Sequence, residues 1–328
     1  MSESLQVFKR SGNEAIIINK PTGTDFHLTA RGSDWLWTVF CVNLFFAMIL
    51  ILLMFRKPVD DRFLYYTVIA PCLFMTIAYF SMASNLGWVP VKAKYNHNRV
   101  STQTTHLGIR QIFYSRYCGW FLAMPFPVIQ ASILGKTPLW QMFFNIVMTE
   151  FFVVCMLLAA LVHSTYKWGY FTFAVFSSYV VMVSILTTTK NLVLKAGNDV
   201  YTVFKIYVSI IFFFWAIYPI SFGLSEGGNV LVVDSEMIFY GILDLCFLCF
   251  APAIFLPLAN YIGIDKIGYN FHPEDHESSG SAGPKGSMSP ASPKSPKSPK
   301  SPKSPKTPKS PKSGAASPKL KKSKKSKK

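Results

Sequence analysis

Long apolar runs separated by short polar stretches set the pattern of this chain. Seven runs fall at about 35–55, 63–90, 111–134, 138–162, 168–190, 203–223 and 235–262. Each supplies the roughly 20 apolar residues a helix needs to cross about 30 Å of hydrocarbon. The second and seventh are the longest, which leaves room for tilt or kinks. The first run opens on Trp35 and Trp37 and closes on Arg56 and Lys57, residue types that anchor a span at the membrane interface. Pro58 then stops it. The stretch VKAKYNHNRVSTQTTHLGIR reads as a loop between runs two and three, and the later loops are short, which predicts antiparallel neighbouring helices. The first 34 residues carry four basic and four acidic side chains, too few residues for a core, and are expected to cap the bundle mouth. They lack the layout of a secretory signal, so the first run is expected to insert as its own signal.

The predicted fold is an all-α membrane protein. It comprises an N-terminal segment 1–34, a seven-transmembrane-helix bundle 35–265, and a disordered basic tail 266–328. Composition agrees: 51% of residues are hydrophobic and only 15% charged, which excludes a soluble domain of this size. The net charge of +17 belongs to the tail, because residues 278–328 hold 15 lysines and no acid, leaving +2 for the rest. Such a tail points to anionic inner-leaflet lipid rather than nucleic acid. Basic residues number seven in the inner loops against nine in the N-terminal segment and outer loops, a count that does not decide orientation. The lysine tail and an odd number of spans place the N-terminus outside and the C-terminus in the cytoplasm.

The tail repeats Ser-Pro-Lys, a composition that stays extended and cannot bury a core. Its nine Ser/Thr-Pro sites are Ser289, Ser292, Ser295, Ser298, Ser301, Ser304, Thr307, Ser310 and Ser317, candidates for a proline-directed kinase. Each phosphate adds about −1.5 to −2, so full modification would cancel the lysines and release the tail from lipid. All six cysteines lie in or at the ends of apolar runs, so no disulfide framework is expected, and Cys246 and Cys249 read as core filler. His272, Asp275, His276 and Glu277 read as a solvated linker, not a metal site. There is no Ser/His/Asp set, HExxH, paired CxxC or phosphate loop, and His163 stands alone near an interface. An enzyme is not expected.

Charges inside spans are costly and mark function or tight interhelical contact. Arg116, Glu150 and Asp244 are the three here. In the third run Gly119, Ala123 and Gln130 share a helical face near Arg116, where a proton path would want acids. In the sixth, Trp215, Tyr218 and Phe222 form an aromatic stripe, and Glu226, Asp234 and Glu236 surround the mouth of runs six and seven.

RYxxW followed by proline in run three, WxxYP in run six and an acid in run seven together resemble the microbial rhodopsins. The segments SNLGWVPVKAKYNH, RQIFYSRY, VHSTYKWGY and FYGILDL, with the lysine tail, are similar to fungal opsin-related proteins, most of all the thirty-kilodalton heat-shock branch of yeast plasma membranes. The resemblance covers residues 12–272. It implies that Arg116 is the arginine below the retinal, that Trp120, Trp215, Tyr218 and Tyr79 line the pocket, and that Glu226 and Glu236 are the outer acidic pair. Asp244 takes the place of the second counterion, and Glu150 that of the acid of the fourth helix.

Three departures bear on activity. The retinal-bearing lysine falls at Leu248, and no lysine lies between Lys205 and Lys266. The proton acceptor position is Gly119 and the donor position Gln130. Leucine offers no amine to an aldehyde, and glycine and glutamine take up no proton at neutral pH. The expectation is no covalent retinal and no light-driven pumping. The resemblance implies a stress-response regulator of the plasma membrane acting on the proton ATPase or ion homeostasis. Two alternatives stand beside it: a light-independent ion or proton path through Arg116, Asp244 and the Glu226/Glu236 mouth, and non-covalent binding of a small apolar ligand, unless Leu248, Phe222 and Met124 fill the pocket. Homo-oligomerisation is left open. Within the bundle, Asp244 is expected to pair with Arg116.

Overall fold

The computed structural model describes residues 13–97, 100, 103–104 and 107–267. The Ser-Pro-Lys tail, its nine phosphorylation candidates and the His272–Glu277 linker lie outside the described residues. Seven helices are long and apolar enough to cross a membrane: α1 (Ala30–Met54), α2 (Arg62–Ala83), α3 (Tyr114–Leu134), α4 (Leu139–Leu161), α5 (Lys167–Ala196), α6 (Asn198–Gly227) and α7 (Val233–Ile262). At 1.5 Å per residue the 25 residues of α1 extend about 37 Å. The most central helix is α3, with 72% of its apolar window buried, whereas α1 and α5 bury 28% and turn the rest outward. Phe45, Leu52, Phe143, Phe176 and Phe213 are exposed on the outer surface, where hydrocarbon would cover them.

The second apolar run does not stay helical to residue 90. Helix α2 stops at Ala83, and Asn85 (φ 56°) and Gly87 (φ 68°) turn the chain through left-handed backbone. Residues Val89–Lys92 then form β1, which pairs antiparallel with β2 (Ile109–Ile112), Val89 opposite Ile112 and Lys92 opposite Ile109. The expected loop therefore contains a β-hairpin, and the third span starts at Tyr114, not 111. Its signal was short: Val-Pro-Val-Lys and Ile-Arg-Gln-Ile are four-residue strands beside much longer apolar runs. The N-terminal segment does cap this end. Phe26 bridges to Arg110, the amides of Asp25 and Phe26 donate to the Ile109 carbonyl at 2.8 and 3.0 Å, and Phe26 and Leu28 are buried.

Four interruptions shape the helices. In α3, Pro125 and Pro127 follow Met124 and remove two N–H donors, so the hydrogen-bond ladder breaks there while the backbone stays near helical values. The π-helical stretches are Ile185–Thr189 in α5, Gly223–Gly227 at the end of α6 and Leu245–Phe250 in α7, each closing wider turns. Glycine is needed where the stretch in α6 ends: a Cβ on Gly227 would lie 2.8 Å from the Phe222 carbonyl oxygen, and one on Gly228 2.5 Å from that of Gly223. The one in α7 precedes Pro252, whose ring nitrogen cannot donate, and it carries Leu248. Spans five and six are also longer than their runs suggested, reaching Ala196 and Gly227 with only Gly197 between them.

Candidate functional site

At the hairpin end, buried charges gather from five elements. Strand β2 supplies Arg110, which the sequence had offered only as a loop cation. Its guanidinium donates to Glu236 on α7 at 2.5 Å, to the Leu231 carbonyl at 2.8 Å, and to the Asn229 side chain. Arg116, one turn into α3, reaches the other oxygen of Glu236 at 2.8 Å and Glu226 of α6 at 3.3 Å. Glu226 also accepts from Tyr117 at 3.0 Å, Ser225 at 2.9 Å and Tyr240 at 3.3 Å. Lys167, at the start of α5, is buried and donates its Nζ to the Glu226 carbonyl at 2.6 Å. The Arg116 guanidinium lies over the Tyr240 ring, 4.2 Å from its centroid. Glu226 and Glu236 thus come together as a pair, each held by arginine, but inside the protein and not around an open mouth. Asp234 stands apart from them, accepting from the Thr29 amide at 2.9 Å.

Asp244 does not pair with Arg116. Its Oδ1 accepts from Trp120 Nε1 at 2.9 Å and Tyr218 OH at 2.7 Å, and its Oδ2 from Tyr79 OH at 2.6 Å. Three neutral donors from α2, α3 and α6 therefore solvate the carboxyl group, while Glu226 and Glu236 take the arginine. The reason is reach: both glutamates flank Arg116 at the hairpin end, and Trp120, one turn further along α3, stands in contact with Asp244. Met237 and Tyr240 add a thioether and a ring face to the arginine.

Around Asp244 the bundle centre is filled. Trp120, Tyr218 and Leu248 are 0% exposed and Met124, Trp215 and Phe247 1%, so no water-sized void borders the first three. Trp120 meets Tyr218 edge-on at 5.1 Å, and Tyr218 meets Phe247 at 5.5 Å. Phe222 is not part of this centre; it stacks on Phe171 of α5 at the hairpin end. Gly119 faces α2, where its missing side chain lets the helices close: a Cβ there would lie 2.6 Å from that of Ala78. Further along, Gln130 accepts from Tyr207 and donates to Thr67 at 2.9 Å. Glu150 joins none of these groups; it is half-buried on α4, and its Oε2 has no partner.

Sequence reasoning passed over Arg110, Lys167, Tyr117, Tyr207 and Tyr240. Tyr240 was within reach, because Glu236, Tyr240, Asp244 and Leu248 recur every four residues along α7. Arg110 carried no such signal, since its partners lie more than a hundred residues away.

The model of the family described as bacteriorhodopsin-like protein matches residues 32–250. The chain belongs to this bacteriorhodopsin-like family. Among curated relatives, Protein YRO2 of Saccharomyces cerevisiae is 58% identical over 85% of this chain and 82% of its own length. The 30 kDa heat shock protein of the same yeast is 34% identical over 78% and 80%. Among solved structures, a light-driven proton pump from Leptosphaeria maculans superposes with a TM-score of 0.67 at 23% identity, covering 74% of this chain and 99% of that one. That likeness establishes the rhodopsin fold. The chain is accordingly a multi-pass membrane protein of opsin-related, rhodopsin type, with a yeast heat-shock protein among its relatives.

Proposed function

We propose that this member of the bacteriorhodopsin-like family carries no covalent retinal and acts in the plasma membrane as a non-enzymatic regulator in the stress response, restraining the proton ATPase. The observation that carries the first half is Leu248. It occupies the position where the resemblance places the retinal lysine, it has no amine, and it is fully buried against a packed centre. Those residues do not fit a covalently bound aldehyde. Asp244, the corresponding counterion, has each oxygen already occupied by phenol or indole donors, so it serves interhelical packing. The regulatory half rests on the family resemblance and on a relative named for heat shock. The hairpin end faces outside and the lysine tail faces anionic lipid in the cytoplasm, where a proline-directed kinase would modulate it.

The reading is tested with the full chain co-reconstituted with the plasma-membrane proton ATPase in liposomes. ATP-driven acidification is expected to fall as the chain-to-pump ratio rises, equally in light and dark. Unchanged acidification at every ratio contradicts the regulatory half. A proton flux with the chain alone would instead favour the light-independent path, whose weakness is Gln130: the α3 face beyond Asp244 presents an amide bonded to Tyr207 and Thr67, not an acid.

A further inference from the structure

A groove of about 310 Å³ runs along the outward seam between α2 and α3 at the hairpin end. Its body is apolar, with Phe74, Ile77, Ala78 and Leu122 along its walls. It opens toward the membrane side of the bundle, since Ile77 is 69% and Leu122 49% exposed. Gly119 lies at its floor, where α2 and α3 approach too closely for a Cβ.

The end nearest the hairpin differs. There Ser81 and Ser115 face the bare Cα of Gly87, their hydroxyl oxygens 2.6 and 2.8 Å from the place a Cβ would take. Gly87 also needs its left-handed φ of 68°, so the position excludes side chains twice over. Ser115 is only 8% exposed, and its buried hydroxyl has no hydrogen-bond partner. A buried hydroxyl left unpaired costs free energy, so the groove offers one unmet polar contact to whatever fills it. No charged residue lines the groove.

We infer that this seam binds a sterol, its hydroxyl bonded to Ser115 and its ring system lying over Gly119 toward Leu122. Three features select this occupant. Ser115 and Leu122 are seven residues apart on α3, about 10 Å of rise, which suits a short rigid body and not a full acyl chain. The polar group that meets Ser115 must be small and neutral, because a phospholipid headgroup would lose its hydration beside a buried serine with no opposite charge to compensate. An acyl chain brings no hydrogen bond at all. The site also sits where a sterol hydroxyl belongs, at the end of two spans, next to the hairpin. The inference is independent of the retinal question, since the groove lies outside the packed centre.

The test uses the full chain in phosphatidylcholine nanodiscs containing a diazirine-bearing sterol, with crosslinked peptides mapped after irradiation. Crosslinks are expected to concentrate on residues 74–81 and 114–122 and to be competed by unlabelled sterol, but about two- to tenfold less well by its methyl ether. Ser115→Ala should erase that preference for the free hydroxyl while leaving some labelling. Cys118→Trp, which fills the groove from an exposed position, should abolish it, with Leu122→Trp as the second filler should the first fold poorly. Labelling spread over all seven spans, labelling unaffected by both fillers, equal competition by the methyl ether, or equal occupancy by a diazirine-bearing phosphatidylcholine would each overturn the assignment.

Discussion

The hairpin end and the opposite half of the bundle are built from the same helices but handle polarity in different ways. At the hairpin end, Arg110, Arg116, Lys167, Glu226 and Glu236 are all buried, and four of the five are linked by ion pairs of 2.5–3.3 Å. Beyond Asp244 the same faces present Gln130, Tyr207 and Thr67, which hold one another by hydrogen bonds without charge. The contrast shows that buried charge here is a local tie. It fastens a strand and four helices at one end and is not continued by titratable groups along α3. Asp244 stands at the boundary, a carboxyl group served wholly by neutral donors.

Substitutions should separate the two regimes. Glu236→Ala leaves two buried guanidiniums without their shared partner and should cost about 3–5 kcal/mol, read by thermal or denaturant unfolding in detergent. A loss below 1 kcal/mol would mean that the cluster is hydrated, not sealed. Asp244→Asn keeps the shape but replaces one acceptor oxygen by a donor, and should cost about 1–3 kcal/mol in the same assay. Should it equal Glu236→Ala, the boundary drawn at Asp244 disappears. Tyr79→Phe removes one of three donors and should cost about 1 kcal/mol, less than Asp244→Asn and not additive with it, which a double-mutant cycle would show. Glu150→Leu removes a half-buried carboxyl oxygen without a partner and should be neutral or slightly stabilising, within about 0.5 kcal/mol. A large loss there would reveal a polar partner on α4.

The bundle was legible because length and hydrophobicity suffice to define spans, and the motif residues Trp120, Trp215, Tyr218 and Asp244 are buried at its centre, with Arg116 buried nearer the hairpin end. The hairpin was not: four-residue strands have no periodicity to set against apolar runs of more than 20 residues, and only Asn85, Gly87 and Pro90 marked the break. Pairing was the least legible part. Placing Arg116 with Asp244 followed from opposite charge in neighbouring spans, yet the choice among Glu226, Glu236 and Asp244 depends on the depth of each along its helix. The π-helical turns of α6 and α7 alter that depth by widening the backbone beside Glu226 and just after Asp244. The count of loop cations, seven inner against nine outer, includes Arg110 and Lys167 among the outer nine, but both belong to the buried cluster and not to the loops.

The central proposal is that the chain, with Leu248 at the lysine position and packed side chains around it, forms no covalent bond to retinal. It is tested most directly by adding all-trans retinal to the purified chain in the dark and recording visible spectra before and after hydroxylamine. The account predicts only the spectrum of free retinal. A red-shifted band that hydroxylamine bleaches would contradict it.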